Sequence, residues 1–402
     1  MRILSITAQK PNSTGSGIYL TELVKEYERK GHTQAVVAGV YREDVIELPE
    51  GVNFYPVYFE EGNLPYPIVG MSDEMPYKST RYCDMTNEMR VQFEESFLKV
   101  ITQAVMECNP DLILCHHLYL LTALVRSHFP RHKVYGFCHN TDLRQMCKTD
   151  LERDFISRQI RNLDRIFVPQ EAQREGVLTI YQASPKKIET VGMGYNSQIF
   201  HGGEDKKKDG VTRIVFAGKI AEKKGVMSLI RSLSILYSRK DACSRDELLV
   251  QLAGSAGNQE EYGQIRQMAE ECPYEVRFLG RLSQPELARV YREGDIFVLP
   301  SFFDGLPLTV IEALACRMRV VMSDLPGIRE WLLASAPGGD VRFVEMPQMQ
   351  NTDEPVPETL PAFEERLADA LLASIRTKEQ KAADVSRISW EGIAAQVLTE
   401  FP

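Results

Sequence analysis

Two carboxylates and two basic loops in this chain of 402 residues stand at strand-to-helix turns, where an anion can be held. In the run from Phe297 to Ala315, FVLPSFFDGLPLTVIEALA, Asp304 and Glu312 have seven residues between them. The apolar stretch Ile296 to Leu299 reads as a strand closed by Pro300. A turn follows at Gly305, and Pro307 suits the first position of a helix. A helical rise of about 1.5 Å per residue sets the two acids roughly 12 Å apart along the chain path. The amides of Leu308 and Thr309 then fall in the first turn, where no intrahelical acceptor reaches them. Such amides, at the positive end of the helix dipole, bind an anion such as a diphosphate. An acid on each side could hold hydroxyl groups that flank it.

The basic groups sit in comparable places. Strand Arg213 to Ala217 leads into Gly218-Lys219-Ile220-Ala221-Glu222-Lys223-Lys224-Gly225, and a helix follows with Val226, Leu229, Ile230 and Leu233 on one face. Ammonium groups in a strand-to-helix loop suit a diphosphate as point charges. A second such loop, Gly280-Arg281-Leu282-Ser283, follows the strand at 275–279. No D-x-D triplet occurs in the chain, so no metal is implied for the phosphates.

The elements that carry these loops alternate strand and helix. At the front, apolar residues 2–7 run into Asn12-Ser13-Thr14-Gly15-Ser16-Gly17. Leu20, Leu23, Val24 and Tyr27 then recur at helical spacing, and Ala35 to Gly39 is the next strand. This is the opening of a doubly wound half. Its Gly15, Ser16 and Gly17 read as a loop that lets backbone approach a ligand. The spacing is not that of a dinucleotide fingerprint, which excludes a nicotinamide reading. Residues 45–95 hold several prolines and read as loops, followed by a helix near 88–107.

Asp111 to Cys115 is a strand ending at His116 and His117. As neighbours, those two side chains should diverge, which makes a poor metal site. Strand Val134 to Phe137 leads into Cys138-His139-Asn140-Thr141-Asp142-Leu143-Arg144, at the end of a strand where such folds place ligands. Leu163 to Pro169 reads as the last strand of the first half. The charged run 202–210 reads as a linker with solvated lysines.

Composition narrows the classes. The chain is 44% hydrophobic and 26% charged, which is ordinary for a globular protein with two or more domains. A formal charge of −9 argues against bulk binding to nucleic acid or anionic membranes. The apolar run at the N-terminus is too short for a signal peptide, and no run is long enough to span a membrane. Eight cysteines without a C-x-x-C pair read as reduced thiols of a cytoplasmic protein.

The stretch around Asp304 and Glu312 resembles the donor-sugar signature of family 4 glycosyltransferases, retaining enzymes of the GT-B fold. In that family the first acid contacts sugar hydroxyls and the second holds the ribose. Asp304 stands where Glu is usual, and Pro307 stands where the family has Gly. Gly218 to Gly225 is similar to the family's Gly-Arg-Leu-x-x-x-Lys-Gly, whose Arg and Lys grip the donor phosphates. Lys219 and Lys224 take those positions. Arg281 and Leu282 match the place whose backbone meets the base. The Gly15, Ser16, Gly17 stretch is similar to a loop that faces the donor phosphate. Cys138 to Asp142 is similar to the His-Gly-Thr-Asp motif of several members, including those that join N-acetylglucosamine to malate in bacillithiol synthesis. Asn140 replaces the Gly, and the resemblance places His139 beside the donor sugar. The segment from Trp390 is similar to the family's terminal stretch, which returns to the first domain.

The expectation is therefore an α/β chain of the GT-B type: two doubly wound, Rossmann-like domains facing across a cleft. Residues 1–202 form the acceptor side, with helix 388–402 packing back on it, and residues 203–387 bind the donor. The implied activity is transfer of a hexose or N-acetylhexosamine, with retention, from a nucleotide sugar, UDP by family habit. Asp304, His139, Lys219 and Lys224 act at the reacting centre. No cofactor or metal is implied. Arg144 is the candidate to hold a small anionic acceptor; a glycan is the other acceptor class. Three alternatives are a nucleotide-sugar 2-epimerase, a sugar phosphorylase and a non-catalytic sugar-nucleotide sensor.

Overall fold

The computed structural model describes residues 1–402 apart from 73–74, 204–208, 240–241, 257, 352, 378–381 and 400–402. The expected linker falls partly outside the described residues, Lys206, Lys207 and Lys208 included. The chain forms two units, Met1–Gly194 with Trp390–Pro402, and Tyr195–Ser389. The chain thus passes from one unit to the next at Gly194, ahead of the linker at 202–210.

The first unit carries strands β1 Arg2–Thr7, β2 Thr33–Val40, β3 Val52–Tyr58, β4 Val69–Gly70, β5 Thr80–Arg81, β6 Leu112–His116, β7 Lys133–Phe137, β8 Arg165–Val168 and β9 Ile188–Thr190. Its first helices are α1 Gly15–Arg29, α2 Asn87–Cys108, α3 Leu120–His128, α4 Thr141–Lys148, α5 Arg153–Arg161 and α6 Glu171–Tyr181. Seven strands make one parallel sheet in the order β3-β2-β1-β6-β7-β8-β9. β1, β2 and β6 are apolar and buried almost throughout, as parallel strands covered on both faces must be. The order reverses between β1 and β6, the place where open α/β sheets bind ligands beyond their carboxyl ends.

Two expectations are corrected here. Residues 52–58, read as loop, form edge strand β3. Its Pro56 is tolerated because an edge strand needs hydrogen-bond partners on one side only. β8 is not the last strand, since β9 pairs beyond it.

The second unit carries β10 Thr212–Ala217, β11 Leu248–Ala253, β12 Glu275–Gly280, β13 Ile296–Leu299, β14 Arg319–Ser323 and β15 Val341–Val344. Between and after them run α7 Val226–Tyr237, α8 Gln259–Glu270, α9 Gln284–Glu293, α10 Leu308–Ala315, α11 Ile328–Ser335 and α12 Leu360–Arg376. The parallel order is β12-β11-β10-β13-β14-β15, with its reversal between β10 and β13. Lys219 follows β10 and Asp304 follows β13, so the two loops flank that reversal. Gly225, at φ +70, passes so close to the Pro300 carbonyl that a Cβ would fall 1.9 Å from its oxygen. This contact joins the lysine loop to the end of β13.

The last helix, α13 Trp390–Leu398, belongs to the first unit and packs on α1. The Trp390 ring meets Tyr19 edge-on with centroids 4.9 Å apart. Among the described residues, no helix is long and apolar enough to cross a membrane.

Candidate functional site

The second unit gathers most of the expected donor residues. A cavity of about 390 Å³ opens at the carboxyl ends of β10, β11 and β12. Lys219, Gly254, Ser255, Arg281, Leu282 and Thr309 line it. Gly254 is needed because a Cβ there would fall 1.7 Å from the Gly218 carbonyl oxygen, inside the wall of the cavity. A second cavity of about 330 Å³ is lined by Lys219, Lys223, Lys224, Glu261, Phe303 and Asp353. Lys219 borders both, so a ligand lying across the two cavities passes its ammonium group. A larger hollow of about 620 Å³ beside the 350–357 loop contains none of the expected site residues.

The Lys224 ammonium donates to Asp304 Oδ2 at 2.8 Å and to the Phe303 carbonyl at 3.1 Å. Asp304 Oδ1 also accepts from the Gly305 amide at 3.1 Å. Glu312 sits in α10, 9% exposed, and burial pushes its carboxyl up to about 8.

The start of α10 differs from expectation. Pro307 is the residue before the first helical position, not that position itself. The Leu308 amide donates to the Leu306 carbonyl at 2.9 Å, and Val310 closes on the Pro307 carbonyl at 3.0 Å. A tight turn ahead of the helix thus takes up the Leu308 amide expected to be free. Thr309 is the one of the pair that lines the cavity of about 390 Å³.

In the first unit, Gly15, Ser16 and Gly17 are the first turn of α1 rather than a loop, capped by Thr14 Oγ1, which accepts from the Gly17 amide. Gly17 is required by the chain itself. A Cβ there would fall 2.7 Å from the Lys10 carbonyl oxygen and 2.9 Å from the Asn12 amide nitrogen. Ser16 Oγ lies 2.9 Å from His117 Nε2.

His139 follows β7. Its Nε2 is 3.1 Å from His116 Nδ1, and its ring stacks on that of His116 at 5.3 Å and meets that of His117 edge-on at 4.8 Å. The two adjacent histidines therefore do not diverge. His117 has a φ of +71, which turns its ring back towards His139. His116 Nε2 is buried without a partner among the described residues. A bare lone pair there costs less than an orphaned N–H, so His116 carries its proton on Nδ1 and donates to His139. His139 then keeps its own proton on Nδ1. Burial pushes the His139 imidazole down to about 3, and those of His116 and His117 well below the ordinary range, so all three are neutral near pH 7.

Asp142 completes this arrangement. Its carboxylate, fully buried, accepts from the Leu118 amide at 2.8 Å and from the His139 amide at 3.2 Å, tying the ends of β6 and β7 together. Sequence reasoning gave Asp142 no role of its own and weighed His116 and His117 only as a metal site. The sign of Asp142's role was its place in the His-Asn-Thr-Asp segment. The histidines gave no periodic signal. Asn140, at φ +68 and ψ −37, is the centre of a three-residue turn that the Thr141 amide closes on the His139 carbonyl at 2.8 Å, a rare backbone state where the resembling motif has Gly. Arg144 is exposed on α4.

Two parallel sheets, each with its reversal point and basic or histidine-lined strand ends, make a doubly wound α/β chain of the GT-B fold. Residues 13–198 match the family described as Glycosyltransferase Family 4, and residues 198–338 match Glycosyl transferases group 1. The chain is 21% identical over 348 residues to the D-inositol 3-phosphate glycosyltransferase of Corynebacterium diphtheriae, covering 80% of this chain and 77% of that one. Against the enzyme of that name from Corynebacterium glutamicum it is 26% identical over 200 residues, spanning about half of each, 47% and 46%. Two solved structures share the fold. The sucrose-phosphate synthase of Thermosynechococcus elongatus aligns with a TM-score of 0.58 at 16% identity, over 100% of this chain and 98% of that one. Anabaena Alr3699/HepE in complex with UDP and glucose gives 0.55 at 14%, over 98% and 95%.

Proposed function

We propose that this chain moves a hexose or N-acetylhexosamine from a UDP-sugar to a small anionic acceptor, with retention at the anomeric carbon. One observation carries the reading: Lys219 borders both a cavity lined by Arg281, Leu282 and Thr309 and a second one lined by Lys224. A nucleotide fills the first. Its base meets the backbone at Arg281 and Leu282, and Glu312 takes the ribose hydroxyls. The diphosphate lies along Lys219 and Lys224, with the amide of Thr309 in the supporting role the resemblance gives it. Asp304 holds sugar hydroxyls. The resemblance gives His139, whose proton sits on Nδ1, a part at the sugar and gives the turn Gly15, Ser16, Gly17 a part at the diphosphate.

Charge is what the site supplies. As the glycosidic bond to the diphosphate breaks, negative charge grows on the leaving oxygen, and fixed ammonium groups stabilise it more than they stabilise the bound donor. No metal is needed for that step in this reading. Retention rests on the family resemblance. A uridine base is supported by the likeness to a structure solved with UDP and glucose. A small anionic acceptor is supported by relatives named for D-inositol 3-phosphate and by the likeness of the His139 segment to malate-using enzymes.

The test is a thermal-shift panel of nucleoside diphosphates, followed by UDP release from UDP-sugars with inositol phosphates and hydroxy acids as acceptors. Bound ligand raises the melting temperature by mass action, so saturating UDP should give the largest shift. A shift with GDP or ADP and none with UDP overturns the choice of base. UDP release that does not depend on an acceptor overturns the transferase reading in favour of an epimerase or hydrolase.

A further inference from the structure

We propose that His117 is a positioning residue: it ties the first turn of α1 to the end of β6 and backs the imidazole of His139. This rests on the transferase reading above, in which that turn and His139 both serve the donor.

The geometry of His117 is specific. It is 5% exposed and holds a φ of +71, a conformation that a non-glycine residue adopts at a cost. Such a conformation persists only where the surroundings over-determine it. Here the His117 amide donates to the Phe137 carbonyl at 3.0 Å, and its carbonyl accepts from the Tyr119 amide at 2.9 Å and from the Thr122 hydroxyl. The backbone is thus pinned to β7 on one side and to the start of α3 on the other. The result is a ring aimed back between Ser16 and His139.

The polar atoms form one directed chain. His117 Nδ1 is buried with no partner among the described residues. A neutral ring with its proton on Nδ1 would bury an unsatisfied donor. The proton therefore sits on Nε2 and goes to Ser16 Oγ at 2.9 Å. The Ser16 hydroxyl is then committed to Thr14 Oγ1 at 3.0 Å, the atom that also accepts the Gly17 amide. The Ser16 and Thr14 hydroxyls at this turn are thus ordered from His117. The same ring meets that of His139 in a T-shaped contact with centroids 4.8 Å apart. One side chain therefore fixes both features of the first unit that the proposed function uses.

The test compares the full-length protein with Ser16→Ala, His117→Asn and the double variant. Asn accepts a positive φ, so the backbone can stay, but its carboxamide is too short to reach Ser16. The first readout is amide hydrogen exchange at Gly17 and Ile18, whose amides are held by Thr14 Oγ1 and the Thr14 carbonyl. Exchange there should speed up about tenfold in each single variant and no further in the double, with β6 and α3 unchanged. The second readout is turnover. kcat should fall about tenfold in each single variant and stay there in the double. Free UDP should bind more weakly in the same variants, because in the proposed function the turn serves the diphosphate.

Unchanged exchange at Gly17 and Ile18 overturns the proposal whatever the activity does. Loss of protection throughout the first unit in His117→Asn overturns it too, since His117 would then be a packing residue. If exchange responds as expected but the unaltered protein turns over no nucleotide sugar, the transferase reading fails and the tie between His117 and the turn stands. Faster exchange with unchanged kcat removes the positioning role.

Discussion

Lys224 Nζ lies 2.8 Å from Asp304 Oδ2, so the cation assigned to the diphosphate and the acid assigned to the sugar are partners before any donor arrives. Both side chains are roughly a quarter exposed, which places the pair between a surface and a buried ion pair. Removal of either partner changes the charge available to the other.

This pairing makes the two ends of the donor separable. Asp304→Ala frees the Lys224 ammonium, so free UDP should bind as tightly as before or a few-fold tighter, the range of a partly exposed pair. Turnover of the intact donor should fall about 100-fold, because a sugar ring without its hydroxyl contacts misses its attack geometry. Lys224→Ala should weaken UDP and UDP-sugar alike, by about 10-fold or more. Calorimetry with UDP beside steady-state turnover reads both. Weaker UDP binding in Asp304→Ala contradicts the division of roles.

Glu312 gives a pH signature. Its carboxyl, ordinarily at 4.5, is pushed up to about 8 by burial, so it is largely protonated at neutral pH. Ribose hydroxyls donate best to the ionised form. Binding below pH 8 therefore releases a proton, and UDP affinity should rise with pH until about 8 and then level off. Glu312→Gln should remove that slope, matching the unaltered protein near pH 6. Near pH 9 it should fall short by about 10- to 100-fold, the worth of a charged hydrogen bond. Stability follows the opposite sign. A carboxyl raised on folding contributes fully below about 4.5, and that contribution is lost as pH rises through 8. The melting temperature of the unaltered protein should thus drop relative to Glu312→Gln between pH 5 and pH 9. A pH-independent difference would remove Glu312 from both accounts.

Arg144 is exposed on α4, directly after the turn set by His139 and Asp142. If it holds the anionic group of the acceptor, Arg144→Ala should raise the acceptor KM about 10-fold or more and leave UDP affinity unchanged. Unaltered acceptor kinetics exclude it from the site.

Lysines alone supply the charge in the proposed mechanism. Turnover should survive EDTA at full rate. Loss of activity with chelator, restored by magnesium or manganese, would show that Lys219 and Lys224 do not suffice.

The alternation of buried strands and amphipathic helices was legible because period and burial are local properties. Leu20, Leu23, Val24 and Tyr27 are all buried on α1, as their spacing requires. The loops at Lys219, Arg281 and Thr309 were legible for the same reason: strand-to-helix turns announce themselves by glycine, charge and the end of an apolar run. Edge strand β3 was not legible, because Pro56 reads as a breaker until the neighbour that tolerates it is known.

Sequence by itself determined the class of the fold and which residue types stand in the strand-to-helix loops. The tertiary structure decided which of those residues meet. Lys224 and Asp304 are 80 residues apart, and His116 and His139 are 23 apart. No local pattern brings them together; the parallel sheet does, by delivering successive strands to one edge. Whether the Leu308 amide is free, and which way the His117 ring turns, depend on single backbone angles set by long-range hydrogen bonds. Those bonds exist only once the sheet has formed.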